Sequence, residues 1–214
     1  MATLLLKFAA PLQSWGNSGS RFERRETGYF PTKSGVVGII AAAMGRKRDD
    51  PIDDLKKFRM GVRIDKAGIP IADFQTVHFW DMSDLYTTRR MYLSDAEFTV
   101  ALEGEDAFLM KVRDVLNDPF YPLYLGRRSC VPSKPIVLNG GLVDISMEDA
   151  LRNVPANSGD SVMRILVEAN EGNYRFEDDP ISFNSSFRKY GARYMKEIDP
   201  VIRENEEHDV FNNI

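Results

Sequence analysis

Lys33 and Ser34 stand at the mouth of an apolar run, PTKSGVVGIIAAAMG (31–45), a lysine–serine pair of the kind that grips a nucleotide phosphate. The phosphate-cradling motif G-x-x-x-x-G-K-[ST] needs two glycines so that the loop amides can curl around the anion. With Lys33 and Ser34 in register, the glycine positions fall on Thr27 and Thr32, and Pro31, which has no amide hydrogen, sits inside the loop. The pattern argues against an ATPase. What survives is a helix start. Thr32 or Ser34 can N-cap a helix beginning near Gly35, and Gly45 is placed to end it. Free amides at such a start, with Lys33 beside them, attract an anion in any fold. The alternative is a capped core helix whose lysine only meets solvent.

Hydrolytic chemistry has little to draw on. There are two histidines, His78 and His208, and the second lies in an acidic tail. The single cysteine, Cys130, excludes an intrachain disulfide and a cysteine zinc site. No spacing of His or carboxylates suggests a metal centre, no cofactor motif is present, and no local motif nominates a catalytic triad. Metal-free RNA cleavage is the one plausible reaction, with His78 as base and Tyr86 or Tyr92 and an arginine assisting.

Binding chemistry is better represented. Three polar, glycine-containing stretches set cations beside aromatics, the combination that holds single-stranded RNA through phosphates and stacked bases. The first, residues 12–34, offers Gln13, Trp15, Arg21, Arg24, Arg25, Tyr29, Thr32, Lys33 and Ser34, with Gly35 following directly. The second, QTVHFWDMSDLYTTRRMY, offers Arg89, Arg90 and Tyr92; the third, LYLGRRSCVPS, offers Arg127 and Arg128 directly after Gly126. The net charge of −4 argues against a general polyanion binder, but it is unevenly spread. Residues 1–48 carry eight Lys/Arg against two acids, a local +6, whereas 168–214 carry eleven acids against six bases, a local −5. Basic clusters bind phosphates even on an acidic chain.

The elements that must position these residues can be read from periodicity. Thr3–Phe8 is a short apolar run suited to a buried strand, and Gly35–Met44 is a helix apolar on nearly every side. RMGVRID reads as a strand with Met60, Val62 and Ile64 on one face, and AEFTVALEG as one with Phe98, Val100 and Leu102 together. Asp106–Leu116 carries a helical stripe ending near Pro119. A further strand after Pro122 would complete β-α-β-β-α-β, the ferredoxin-like or RRM-like unit. GIPIADFQTVHF reads as mixed strand and loop, and WDMSDLYTTRRMY has no clean period. Ser146 and Asp149 form a capping box for a helix over Met147–Asn153, followed by two strand-like segments and the basic, aromatic FRKYGARYMKEI. The expected organisation is an α+β domain over 1–136, a small β-rich region over 137–200, and a flexible acidic tail over 201–214. At 214 residues, 43% hydrophobic, with no apolar run of membrane-spanning length and no good signal peptide, a cytoplasmic protein is the simplest reading.

The blocks FAAPLQSWG (8–16), RRETGYFPTKSGVVGIIAAAMG (24–45), DFQTVHF (73–79), YLSDAEFTVALEG (92–104) and YPLYLGRRSCVPSKPI (121–136) resemble, in that order, the CasD type of the CRISPR-associated "Cas-five" family of the RAMP superfamily. The resemblance extends to about residue 200. It implies a ferredoxin-like or RRM-like (RAMP) domain with a β-hairpin "thumb" inserted near 80–91 and a small β C-terminal region. It further implies a non-catalytic subunit of a type I-E Cascade complex. Such a subunit holds the 5′ handle of crRNA, caps the filament of backbone subunits, contacts the large subunit, and meets target DNA only through the complex. Type I-C relatives cleave precursor crRNA with a Tyr, Lys and His constellation. No matching Lys–His pair is evident here, so His78, Tyr86 and Tyr92 remain only the alternative reading.

Overall fold

A computed structural model describes residues 2–16, 23–78, 85–155 and 164–200. The chain opens with strand β1 (Ala2–Ala9), two short strands β2 (Leu12–Gln13) and β3 (Arg24–Arg25), and helix α1 (Lys33–Ala43). After a single 3-10 turn at Asp53–Lys56 come β4 (Phe58–Lys66), a hairpin of β5 (Ile69–His78) and β6 (Leu85–Ser94), β7 (Glu97–Gly104) and helix α2 (Asp106–Asn117). Then follow β8 (Val137–Val143), helix α3 (Met147–Asn153), β9 (Arg164–Ala169), β10 (Tyr174–Ser182) and β11 (Lys189–Ile198). The expected α+β class is what is found.

Seven strands make the main sheet, in the order β10-β11-β9-β4-β7-β1-β8, every neighbouring pair antiparallel. Its two faces are both covered. Leu4, Leu6 and Phe8 of β1, Met60 and Val62 of β4, and Phe98, Val100 and Leu102 of β7 join Val36, Ile40, Leu109 and Val112 of α1 and α2 in the main core. Leu5, Ala101, Ile165 and Val167 meet Met147 and Leu151 of α3 on the other face. Full burial on both faces explains why β1 reads as an unbroken apolar run instead of an alternating one. The second face of β4 and β7 also carries a buried ion network. Lys7 Nζ lies 2.8 Å from Asp65 and 3.0 Å from Glu97, Arg63 Nε lies 2.6 Å from Asp65, and the Thr99 hydroxyl donates to Asp65 at 2.6 Å.

Two expectations shift. No strand follows Pro122 directly. The strand that pairs with β1 begins at Val137, and residues 121–136 are irregular, held by Leu125 N–H to Cys130 O and Ser133 N–H to Ala9 O. Pro122, Pro132 and Pro135 have no amide to give a ladder. The hairpin is wider than 80–91: its arms pair from Ile69↔Ser94 to His78↔Leu85. Residues 85–92 of the stretch without a clean period belong to the second arm, β6. Several β5 residues, among them Ile69, Phe74 and Val77, are exposed, so no single buried face imposes alternation. The C-terminal strands β9, β11 and β10 extend the main sheet from the edge of β4. The acidic tail, Arg21 and the tip of the hairpin lie outside the described residues.

Candidate nucleic-acid interface

Helix α1 begins as its sequence requires. Thr32 is extended and its hydroxyl accepts from Gly35 N–H at 3.2 Å. Gly45, with φ of +74°, follows the C-cap Met44 and donates to Ala42 O at 3.0 Å. The anion position at the helix start, however, is filled by the protein itself. Lys33 N–H donates to Asp178 Oδ2 at 2.9 Å, and Asp178 is held in turn by Arg193 at 2.9 and 2.6 Å. The Lys33 ammonium belongs to a residue only 5% exposed. It reaches Glu168 at 2.8 and 3.1 Å and Asp179 at 3.6 Å, and lies 5.6 Å from the Phe58 ring centroid. The lysine expected to meet an RNA phosphate is instead a clasp between α1 and strands β9 and β10. The carboxylates that displace it lie about 135–145 residues further along the chain, beyond the reach of local pattern.

Two other candidates are core residues. Gln13 and Trp15 have no exposed surface. Gln13 Nε2 donates to Ala96 O at 2.6 Å, the Trp15 indole donates to Gln13 Oε1 at 3.2 Å, and Trp15 stacks on Phe8 at 5.4 Å. Gly126 has φ of +104°, and a Cβ there would lie 1.7 Å from Ser14 O. Its close backbone approach is to the protein and fastens the Arg127 loop onto residues 12–16, with Ser14 N–H donating to Leu125 O at 3.0 Å.

The arginines do converge. β3 pairs in parallel with β6, setting Arg24 beside Arg89 and Arg25 beside Arg90. Like charges directly opposite in a ladder repel. Arg127 ties these strands to its own loop: its guanidinium donates to Met91 O and Arg25 O, each at 2.9 Å, and lies 4.5 Å from the Tyr92 ring centroid. None of these contacts is a carboxylate, so its charge is bound without being neutralised. Arg90 Nε is buried with no hydrogen-bond partner among the described residues. Arg128 and Tyr29 are both exposed, Tyr29 at 71%.

Of the two tyrosines that could assist His78, only Tyr86 lies near it in the hairpin register, where Val77 pairs with Tyr86 and His78 with Leu85. Tyr86 and Tyr92 are six residues apart on one strand, about 20 Å at the ~3.3 Å rise of a β-strand. Tyr92 is 4% exposed, beneath Arg127. Tyr86 donates its hydroxyl to the Glu23 carboxylate, which pushes its pKa up. His78 is opposite Leu85 at the far end of the hairpin, and its side chain lies outside the described residues. Among the described residues no group of three or more His, Cys, Asp or Glu is clustered for a metal.

A groove of about 970 Å³ opens beside α1. One wall holds Arg25 and Arg127, and Thr32, Ser34 and Gly35 line the helix start; the other rim brings in Lys47, Arg48 and Arg188. The three acids on its lining are each drawn to a cation that does not line it: Glu26 to Arg24 at 3.7 Å, Glu177 to Arg175 at 3.1 Å, Asp178 to Arg193 at 2.6 Å. Arg46 is spoken for by Asp54, which raises the pKa of the arginine and lowers that of the carboxyl. Among the described residues Lys47, Arg48 and Arg188 form no ion pair. The groove is therefore electropositive on a chain of net charge −4. Lys47, Arg48 and Arg188 were not singled out by the sequence. The first two counted only toward the local +6, the third belonged to the basic, aromatic FRKYGARYMKEI, and only the fold brings them together.

Among the described residues no helix is long and apolar enough to cross a membrane. The model of the CRISPR-associated protein family Cas_Cas5 matches residues 3–196. The CRISPR system Cascade subunit CasD of Escherichia coli (strain K12) is 31% identical over 203 residues, covering 83% of this chain and 88% of that protein. A solved structure described as a crystal structure of a Cas protein superposes with a TM-score of 0.77 at 41% identity, over 92% of this chain and 93% of its own. A chain of a CRISPR RNA-guided surveillance complex does so with a TM-score of 0.75 at 30% identity, over 92% and 89%. With sequence and fold agreeing along nearly the whole described chain, this protein belongs to the CRISPR-associated Cas_Cas5 family.

Proposed function

We propose that this chain is a non-catalytic, cytoplasmic crRNA-binding subunit of a type I-E Cascade complex, holding the 5′ handle of crRNA in the groove beside α1 and capping the backbone-subunit filament next to the large subunit. The observation that carries the reading is the electropositive groove. The side chains of its Lys47, Arg48, Arg127 and Arg188 form no ion pair among the described residues, while its acids are paired away from it. The likeness to CasD and to a chain of an RNA-guided surveillance complex supports the assignment of the ligand as crRNA. The strand order β8-β1-β7-β4, with α1 between β1 and β4 and α2 between β7 and β8, supports the ferredoxin-like reading of the domain. On it, β5 and β6 stand as the inserted thumb.

Arg127, Arg128, Arg25, Arg24, Arg89 and Arg90 meet the RNA, joined by Lys47, Arg48 and Arg188; Tyr29 is the exposed aromatic for stacking. Lys33, Gln13 and Trp15 act by holding the groove's shape. The test is salt dependence. Arg48→Ala and Arg188→Ala, alone and combined, weaken binding of handle-bearing crRNA and lower the slope of log K against log salt by about 0.7 for each phosphate no longer neutralised. Unchanged slopes would remove the groove from the account.

A further inference from the structure

Gly38 sits in the middle of α1, where glycine lowers helix stability relative to alanine. Nothing among the described residues requires it. A Cβ built at Gly38 meets no atom within 4 Å, whereas one at Gly35 would lie 3.0 Å from both the Trp15 ring and the Thr32 hydroxyl. Gly35 is thus explained by packing and Gly38 is not. Gly38 lines the groove together with Gly35 and Ala42, which share its helix face at i, i+3 and i+7 spacing, while Val36, Val37 and Ile40 fill the core behind them. The cations Lys47, Arg48, Arg127 and Arg188 lie on the same groove.

Resting on the reading of the groove as the RNA site, we infer that Gly38 is a specificity-determining position. The bare helix face is the floor against which the sugar–phosphate backbone of a single strand is laid, and the cations take its phosphates from the walls. A ribose edge and its phosphate need van der Waals contact with the helix at Gly38, and any side chain there occupies that space. An A-form duplex, about twice as broad, does not reach the floor.

The full-length protein carrying Gly38→Ala or Gly38→Leu is compared with wild type in two measurements: thermal unfolding, and binding of a short fluorescein-labelled single-stranded RNA of mixed sequence and of the same sequence as a duplex. Gly38→Ala raises Tm by about 2–4 °C, through helix propensity alone. It nonetheless weakens the single strand, and Gly38→Leu weakens it by roughly tenfold, the effect of wedging methylenes into a packed contact. Duplex binding moves in neither variant. A merely structural glycine would not give greater stability with lower affinity. The triple variant Lys47→Ala, Arg48→Ala, Arg188→Ala separates this inference from the reading beneath it. If that variant loses single-strand binding while Gly38→Leu keeps wild-type affinity, the groove binds RNA but α1 is not its floor, and the inference is overturned. If neither changes affinity, the groove reading falls as well.

Discussion

Lys33 shows how a residue's type can be legible and its role not. The sequence places a cap and a lysine at a helix start, and both are there: Thr32 caps the helix, and Lys33 is its first residue. What local spacing cannot show is that Glu168, Asp178 and Asp179, distant in sequence, take the positions a phosphate would occupy. The consequence is a stability role. Lys33→Met removes the nearest cation of Glu168, which keeps Met60 N–H at 3.1 Å and Arg193 at 3.9 Å, and losing a partly buried charged hydrogen bond of this kind costs about 1–3 kcal/mol. Urea unfolding should show that destabilisation in full, and RNA affinity, measured where the variant is still folded, should change little. Arg127 behaves differently. Arg127→Lys keeps the charge but cannot bridge the Met91 and Arg25 carbonyls with a planar fork, so its RNA affinity should fall towards that of Arg127→Ala; recovery to wild type would show that charge alone suffices there.

Elements were readable wherever one buried face imposed a period. β4 and β7 carry Met60, Val62, Phe98, Val100 and Leu102 on the core side as their alternation predicts, and the Ser146 box caps α3, its hydroxyl accepting from Asp149 N–H at 3.1 Å. The β6 arm was not readable because its hairpin has no wholly buried face, and the strand expected after Pro122 was displaced to Val137 by a proline-rich loop fastened to β1. At the start of β7, burial pushes the Glu97 pKa up, but hydrogen bonds from Lys134 and Lys7 outweigh it and hold the carboxyl below its usual value. A depressed carboxylate stabilises the fold above the unfolded-state pKa, about 4.3 for Glu. That contribution disappears as pH falls through the lower folded value. Thermal stability of wild type should therefore decline with acidification below about pH 4.3. Glu97→Gln should start less stable at neutral pH and converge on wild type in acid. Parallel curves would exclude this pair as a source of the pH dependence.

At the scale of the whole molecule, composition pointed the wrong way and distribution the right one. A net charge of −4 hides a groove whose acids are each paired elsewhere, and the +6 of the first 48 residues was the legible trace of it. Outside those residues, Arg127 comes from the loop fastened to residues 12–16 and Arg188 from the approach to β11, which reaches the site only because β9, β11 and β10 extend the main sheet past β4. Tyr86 and Tyr92 are kept apart by their own strand, six residues apart along β6. The purified protein should leave a labelled repeat RNA intact in EDTA, and His78→Ala should change nothing; specific cleavage abolished in that variant would restore the nuclease reading. The most direct test of the central claim is photo-crosslinking of crRNA within the assembled complex, read by mass spectrometry of this chain's peptides. The groove predicts adducts on the peptides bearing Lys47–Arg48, Tyr124–Arg127 and Arg188–Tyr190, whose named end residues all line it. Adducts confined to the opposite face of the sheet, around α3, would contradict it.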